Sequence, residues 1–280
     1  MSQIRGSGLI PPKKELINLD FSYQKQFGGI KELPESDFVV AEPLGIKEQE
    51  QSDLCTAFGT ASVSEDQEGV ELAPEYSFAK IKELMGDWQG FGGDPRQACL
   101  AATKYGFLEK DKCPYQLANH ERDFIANWKN WPPELDSQAG EHRKKSFFVV
   151  DGQKDLFDSM RAVMWANRSE KRSIFTGCYW QNSWTNITGG IIPKDSMNLS
   201  INPHAFKIFG QKRINGEIHL VAQLSNGTEI GDNGKFYFPR NIINRFLFAY
   251  TFKDLDPEEA KRNQWSLVQL LKYKLLKLFS

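Results

Sequence analysis

Apolar and small residues recur at helical spacing through the first half of the chain. In LCTAFGTASVSEDQEG, which starts at Leu54, four such residues share one face, and Gly69 provides a stop. APEYSFAKIKELMG repeats the pattern with Pro74 in its first turn, and DPRQACLAATKYGF opens with Asp94 as a helix cap. We therefore expect three helices between about residues 50 and 125.

The second half alternates between apolar and polar residues. The run HAFKIFGQKRINGEIHLVAQLSNGTEIGDNGKFYFP is punctuated by Asn215-Gly216, a strong hairpin signal, and by the turn formers of residues 231–234. One more amphipathic helix, in GQKDLFDSMRAVMWANRSE, precedes these strands, and the polar stretch NWKNWPPELDSQAGEHRKK before it is typical of a surface loop. Helices followed by antiparallel strands predict an α+β protein with two lobes and a cleft between them.

The two ends differ from this central part, which we place at residues 33–250. Residues 1–32 contain turn formers and charges with little periodicity, and we expect an irregular leader. Residues 251–280 are predicted to form a helical tail with a ridge of leucines at positions 267, 271, 275 and 278. The ridge could dock on its own domain, bind another protein or lie on a membrane surface, and we expect one of the first two.

Composition narrows the class of protein. The net charge of −1 argues against nucleic-acid binding, and no apolar run approaches the ~18 residues of a membrane span. Four cysteines without a CxxC pair, together with four histidines, indicate neither a disulfide scaffold nor a zinc site. We therefore expect no metal and no cofactor, and reduced thiols in the cytoplasm or another reducing compartment.

Cys55 is the first candidate for chemistry, because it begins the first predicted helix, where the helix dipole favours a thiolate. A free cysteine is more often a buried, inert residue, so only partners elsewhere in the chain support a catalytic interpretation. His204 lies 149 residues later and begins the strand-rich half. A distant histidine of this kind is what a cysteine nucleophile requires.

Five segments, in this order, resemble the papain family of cysteine peptidases. They are ELPESDF at residues 32–38, IKEQEQSDLCTAF at 46–58, GFGGDPRQACLAATKYGFLEKDKCPY at 90–115, PHAFKIFG at 203–210 and SNGTEIGDNGKFYFP at 225–239. The resemblance covers about residues 33–245. It implies a papain-like fold with a helical lobe at about 50–125 and an antiparallel, β-barrel-like lobe at about 145–250.

The resemblance also implies roles for individual residues. Cys55 would be the nucleophile, His204 its catalytic partner and Gln49 a donor to the oxyanion, in a peptidase acting on peptides or proteins. Four consecutive residues would bind substrate: Gly92, Gly93, Asp94 and Pro95. The glycines would let a substrate backbone approach closely, and the other two would border the pocket for the residue two before the scissile bond.

The sequence departs from the family pattern at the position of the catalytic asparagine, where it has Leu224. A leucine cannot accept a hydrogen bond from the imidazole, and either Asn226 or a carbonyl group could take its place as the acceptor. The family's first disulfide is also missing, since its two positions are Ser52 and Gly90. The long inhibitory propeptide of the family has no counterpart in the short leader.

Three interpretations of function stay open. The first is an active thiol endopeptidase. The second, motivated by Leu224, the leader and the leucine-rich tail, is an inactive papain-fold protein with a structural or binding role in a larger assembly, such as a virus or phage particle. The third is different amide chemistry on the same fold, such as transfer or crosslinking.

Overall fold

A computed structural model describes residues 8–13, 20, 22–27, 33–50, 52–88, 91–114, 131–151, 155–196 and 202–254. Within these ranges the α-helices are α1 (Tyr23–Phe27), α2 (Cys55–Glu68), α3 (Pro74–Met85), α4 (Pro95–Lys104), α5 (Glu134–Ala139), α6 (Leu156–Ala166) and α7 (Arg240–Ile243). The strands are β1 (Phe38–Val39), β2 (Lys144–Val149), β3 (Ile174–Trp180), β4 (Asn202–Ile214), β5 (Glu217–Gln223), β6 (Lys235–Phe238) and β7 (Phe248–Asp254). The predicted leucine ridge of the tail lies outside the described residues. No helix in these ranges has the length and apolar character needed to span a membrane.

The three predicted helices of the first half are confirmed, with the caps that their sequences indicate. α2 ends at Gly69, which adopts the left-handed conformation (φ 73°) and donates its N–H to the carbonyl of Glu65. α3 has Pro74 as its first residue and Gly86 (φ 66°) at its end. The Asp94 carboxylate caps α4 by accepting the N–H of Gln97.

The second half folds into one antiparallel sheet. The strand order is β2-β7-β3-β4-β5-β6, and β1 pairs with β4. Asn215 and Gly216 join β4 to β5 with positive φ angles of 51° and 83°, the conformation that a two-residue type I′ hairpin requires. The described strands form an open sheet, so the expected barrel-like lobe is not a closed barrel. The α+β architecture itself is confirmed.

α2 lies at the centre of the molecule and is buried along most of its length. Among the described residues, the buried ones form two clusters. The first joins α2, α3 and α4 to aromatic residues of β7, and the second lies between α6 and the opposite face of the sheet. α2 packs directly on β4. The helix that begins at Cys55 therefore meets the strand that contains His204.

Two stretches differ from the sequence expectation. The segment predicted as a surface loop contains α5 and the start of β2, and β2 is held by pairing with β7, a partner more than a hundred residues away. A pattern read along the chain cannot show such a partner. β7 continues to Asp254, so residues 251–254, assigned above to the tail, belong to the sheet.

The leader also makes specific contacts. The Asp20 carboxylate accepts a hydrogen bond from Arg96 Nε at 2.8 Å, and Ser22 forms a β-bridge with Val149. The hydroxyl of Tyr23 accepts a hydrogen bond from Asn167 at 2.7 Å. Asp20, Ser22 and Tyr23 thus connect this part of the chain to α4 and to the second lobe.

Candidate active site

Cys55 is fully buried at the first position of α2. Burial raises the pKa of Cys55 to about 12, although hydrogen bonds with the backbone of Ala205, with the hydroxyl of Thr56 and with the backbone of Gly8 oppose the rise. A thiol with this pKa is protonated and unreactive near neutral pH. In this arrangement Cys55 is therefore shielded rather than exposed for attack.

His204 immediately precedes Ala205, whose backbone contacts the Cys55 thiol. The His204 side chain is only 1% exposed, and its ring meets that of Trp180 edge-on with centroids 6.0 Å apart. Cys178 lies directly opposite His204 in the β3–β4 register. The structure thus brings Cys55 to the residue next to His204, across the contact between α2 and β4.

Gln49 is fully buried on the segment that leads into α2. Its Nε2 donates to the Ser52 carbonyl at 3.0 Å, and its Oε1 accepts from the Ser225 hydroxyl at 2.5 Å. The backbone N–H of Gln49 also donates to the Ser225 carbonyl at 2.7 Å. Two bonds thus orient the side-chain amide, whose second N–H is used by neither of them, and the third bond holds the backbone of Gln49.

The two candidates for the third catalytic position lie in different surroundings. Leu224 is 2% exposed and packs within the core of the second lobe. Asn226 forms a β-bridge with Glu48, the neighbour of Gln49. The Oδ1 atom of Asn226 is buried and has no hydrogen-bond partner among the described residues. Asn226 therefore carries an acceptor that Leu224 lacks.

The chain's own leader occupies the groove beside Gly93. Leu9 forms a parallel β-bridge with Gly93, whose N–H donates to the Gly8 carbonyl at 2.8 Å and whose carbonyl accepts from Ile10 at 3.0 Å. The Thr56 hydroxyl lies 2.9 Å from the Gly8 carbonyl and 3.1 Å from the Gly93 carbonyl, and can donate to either. An extended peptide segment is therefore already bound next to Cys55.

Glycines make this close approach possible. A Cβ on Gly8 would lie 1.9 Å from the Asp53 carbonyl oxygen, and a Cβ on Gly92, which has a φ of 67°, would lie 2.5 Å from the Gly8 carbonyl. A Cβ on Gly177 would lie 2.7 Å from the Leu9 side chain. The absence of side chains at these positions leaves the space that the leader fills.

The remaining predicted site residues have structural contacts that the sequence already suggested. Asp94 caps α4 and Pro95 is the first residue of that helix, directly after Gly93. The four cysteines are free and buried. Among the residues described, no group of three or more His, Cys, Asp or Glu could hold a metal ion.

Sequence reasoning missed Thr56, Ser225 and the leader residues of the groove. Thr56 and Ser225 adjoin recognised motif residues, and their hydroxyls are the only local signal. Nothing in the pattern of residues 8–10 indicates pairing with Gly93, because the contact joins positions more than eighty residues apart.

Neither a family model nor a curated protein sequence matches this chain. Solved structures do resemble it. Xylellain, a cysteine protease from Xylella fastidiosa, superimposes with a TM-score of 0.68 at 19% identity, over 91% of this chain and 100% of that chain. The digestive procathepsin L 3 of Tenebrio molitor larval midgut gives a TM-score of 0.63 at 15% identity, over 84% of this chain and 74% of that chain. Procathepsin B S9 from Trypanosoma congolense gives 0.63 at 16% identity, over 89% and 88%. The chain has the fold of the papain-like cysteine proteases.

Proposed function

We propose that this chain is a papain-like cysteine peptidase, with Cys55 as nucleophile, His204 as its acid and base, and Gln49 as an oxyanion donor. One observation carries the proposal. The thiol at the N-terminus of α2 contacts the residue that follows His204, beside a groove in which an extended segment pairs with Gly93. A substrate peptide seated like that segment would present its backbone next to Cys55.

The proposed reaction uses groups that the fold holds in place. The Cys55 thiolate attacks the carbonyl carbon, and the oxygen takes up the electron pair beside the Gln49 amide and the Cys55 N–H, which a first-turn position leaves without an intrahelical acceptor. His204 gives its proton to the departing amine, which leaves a thioester. Water then attacks the thioester carbonyl as His204 takes one of its protons, and the acid product leaves Cys55 as a thiolate.

Asn226 is proposed as the residue that orients His204. Its buried Oδ1 is an acceptor without a partner among the described residues, and its backbone is bridged to Glu48 beside Gln49. A ring held by one acceptor keeps the tautomer that the reaction needs. Leu224 would then serve only to pack the second lobe.

The leader is proposed to keep the enzyme closed until it is displaced. The backbone of Gly8 bonds the Cys55 thiol, and the neighbouring Leu9 pairs with Gly93 in a parallel β-bridge. Once the leader leaves, water and His204 can reach the sulfur, and the burial that raises the pKa of Cys55 is removed. Regulation would therefore reside in the first residues of the chain.

A second candidate function is a papain-fold protein without turnover, which Leu224 favours because it removes the usual acceptor. Its role in a larger assembly stays a prediction. The two candidates differ in whether the chain cleaves protein at all.

Cleavage of denatured casein by the full chain under reducing conditions tests the proposal. We expect cleavage by the chain that carries Leu9→Ala, its loss on adding Cys55→Ser, and its retention within about twofold on adding Cys99→Ser. Cys99 is a suitable control because it is also fully buried, within α4, and its pKa is likewise raised by burial. Cleavage that survives Cys55→Ser, or no cleavage by any variant, would contradict the proposal.

A further inference from the structure

A buried ion pair joins the helix of Cys55 to the strand of His204. Lys207 Nζ lies 2.8 Å from Asp66 Oδ1, and the two side chains are 2% and 1% exposed. The same ammonium group also donates to the Ser62 carbonyl at 3.3 Å. Asp66 is in the last turn of α2, and Lys207 is three residues after His204 on β4.

Stability alone is a poor explanation for such a pair. Removing two charges from water costs as much as their attraction returns, and well-packed apolar residues often replace a buried pair at no loss of stability. Burial raises the pKa of Asp66, and Lys207 is the main group that opposes the rise, with Ser173 and Lys171 contributing less. The pair instead fixes how α2 lies against β4, because the attraction between the two charges is lost when either element moves.

α2 and β4 meet at three successive places. At the first, the Cys55 thiol contacts the backbone of Ala205. At the second, a Cβ on Gly59 would lie 2.8 Å from the Phe175 ring and 3.4 Å from the Phe206 nitrogen, so helix and sheet touch closely. At the third, Lys207 binds Asp66 and Ser62. Contacts at both ends of a packed helix fix its angle across the strand.

The stretch of α2 between Asp66 and Cys55 is long enough for a tilt at one end to displace the other. Eleven residues separate Cys55 from Asp66, which corresponds to about 16 Å of helix. A tilt of about 10° around the Asp66 end would move the Cys55 end by about 3 Å. Catalytic groups tolerate misplacement of only about 0.5 Å to 1 Å, so even a small rotation would displace Cys55 relative to the strand of His204 by more than a catalytic pair tolerates.

We propose that Lys207 and Asp66 are positioning residues that set the angle between α2 and β4, and thereby the geometry of Cys55 and His204. This inference rests on the proposed peptidase function. It adds Asp66, which lies outside the five segments, and Lys207, which lies within PHAFKIFG but was given no role there.

The test compares Asp66→Asn, Lys207→Met and the double variant Asp66→Leu/Lys207→Met, all in the full chain with Leu9→Ala. Lys144→Met is the matched control, because Lys144 is a fully buried lysine that binds Glu68 at the end of the same helix but belongs to β2. The readouts are kcat and KM on casein-derived peptides, the pH dependence of Cys55 alkylation by iodoacetamide, and thermal unfolding.

We expect the Asp66 and Lys207 variants to lose about tenfold or more in kcat, with KM within about threefold, and to need a higher pH for alkylation. The double variant keeps apolar packing, so it should unfold near the parent temperature and still show the same loss in kcat. Lys144→Met should do the opposite: we expect a lower unfolding temperature and a kcat within about twofold of the parent value. Parent-like kcat and alkylation in the double variant, or an equal kcat loss in Lys144→Met, would overturn the inference. If the parent cleaves no peptide, the proposed function fails, and the alkylation profiles alone decide whether the pair positions Cys55.

Discussion

Leu9 lies beside Gly93 in a parallel β-bridge, so the N-terminal segment of the chain fills the groove that leads to Cys55. The backbone of Gly8 in the same segment also bonds the Cys55 thiol, which is fully buried. The groove is thus both the proposed substrate site and the place where the leader binds.

Truncating Leu9 should open the groove. Leu9 is 2% exposed, and replacing a buried leucine by alanine costs about 2–5 kcal/mol of the interactions that hold it. We therefore expect Leu9→Ala to raise the rate of Cys55 alkylation by iodoacetamide at least about tenfold. Leu44→Ala is the control, since Leu44 is 47% exposed and should leave the rate unchanged. Equal rates in the two variants would show that the leader does not shield Cys55.

Removing the Asn226 amide should slow turnover without unfolding the protein. In Asn226→Ala, His204 loses the proposed acceptor, and we expect kcat to fall about tenfold to a hundredfold. Leu224→Ala should destabilise the protein without slowing turnover, because loss of a core leucine costs about 2–5 kcal/mol of stability but removes no polar contact. Kinetics paired with chemical denaturation separates the two results. Full activity in Asn226→Ala would mean that another group orients His204.

Gln49 should contribute to rate more than to substrate binding. Gln49→Ala removes the N–H that we propose as the donor to the oxyanion, and we expect a kcat loss of about a hundredfold to a thousandfold with little change in KM. Ser225→Ala removes only the hydroxyl that holds Gln49 Oε1 and should cost less, about tenfold at most. A Ser225 variant slower than the Gln49 variant would contradict this assignment.

His142 should make stability depend on pH. Its ring nitrogens bond Glu68 at 2.9 Å and Glu109 at 3.1 Å, and these bonds raise the pKa of His142 despite its partial burial. Because the pKa of His142 is higher in the folded state, its contribution is fully present below the unfolded value of about 6.5 and is lost as pH rises through the folded value.

Denaturation at pH 6 and pH 8 measures this dependence. We expect the free energy of unfolding to fall between the two pH values in the parent chain and to change less in His142→Gln. An unchanged pH dependence in His142→Gln would show that other groups produce it.

The parts of this molecule that local chemistry specifies were predictable, and those that depend on distant pairing were not. Gly69, Pro74 and Asp94 mark helix ends because each acts on its own turn, and Asn215-Gly216 specifies a hairpin in the same way. The pairing of β2 with β7 and of Leu9 with Gly93 joins residues far apart in sequence, and no periodicity encodes it. The ion pair of Lys207 with Asp66 was likewise invisible, because a charged residue in an amphipathic pattern is expected to face solvent.

For the site, the order and spacing of the five segments were sufficient to predict Cys55, His204 and Gln49 as candidates. The resemblance implied a role for each of these residues, and the structure brings Cys55 to the neighbour of His204. The resemblance could not predict the surroundings of Asn226 or the shielding by the leader. Both arise only when the two lobes and the N-terminal segment pack together.

The pH dependence of Cys55 alkylation in the Leu9→Ala chain tests the central claim most directly. A thiolate paired with an imidazolium persists well below the ordinary thiol pKa of about 8.5, so we expect rapid alkylation down to about pH 6 and its loss in His204→Gln. Thermal unfolding of both chains controls for misfolding. A single ionisation at or above pH 8.5 that is unchanged by His204→Gln would contradict a working cysteine–histidine pair.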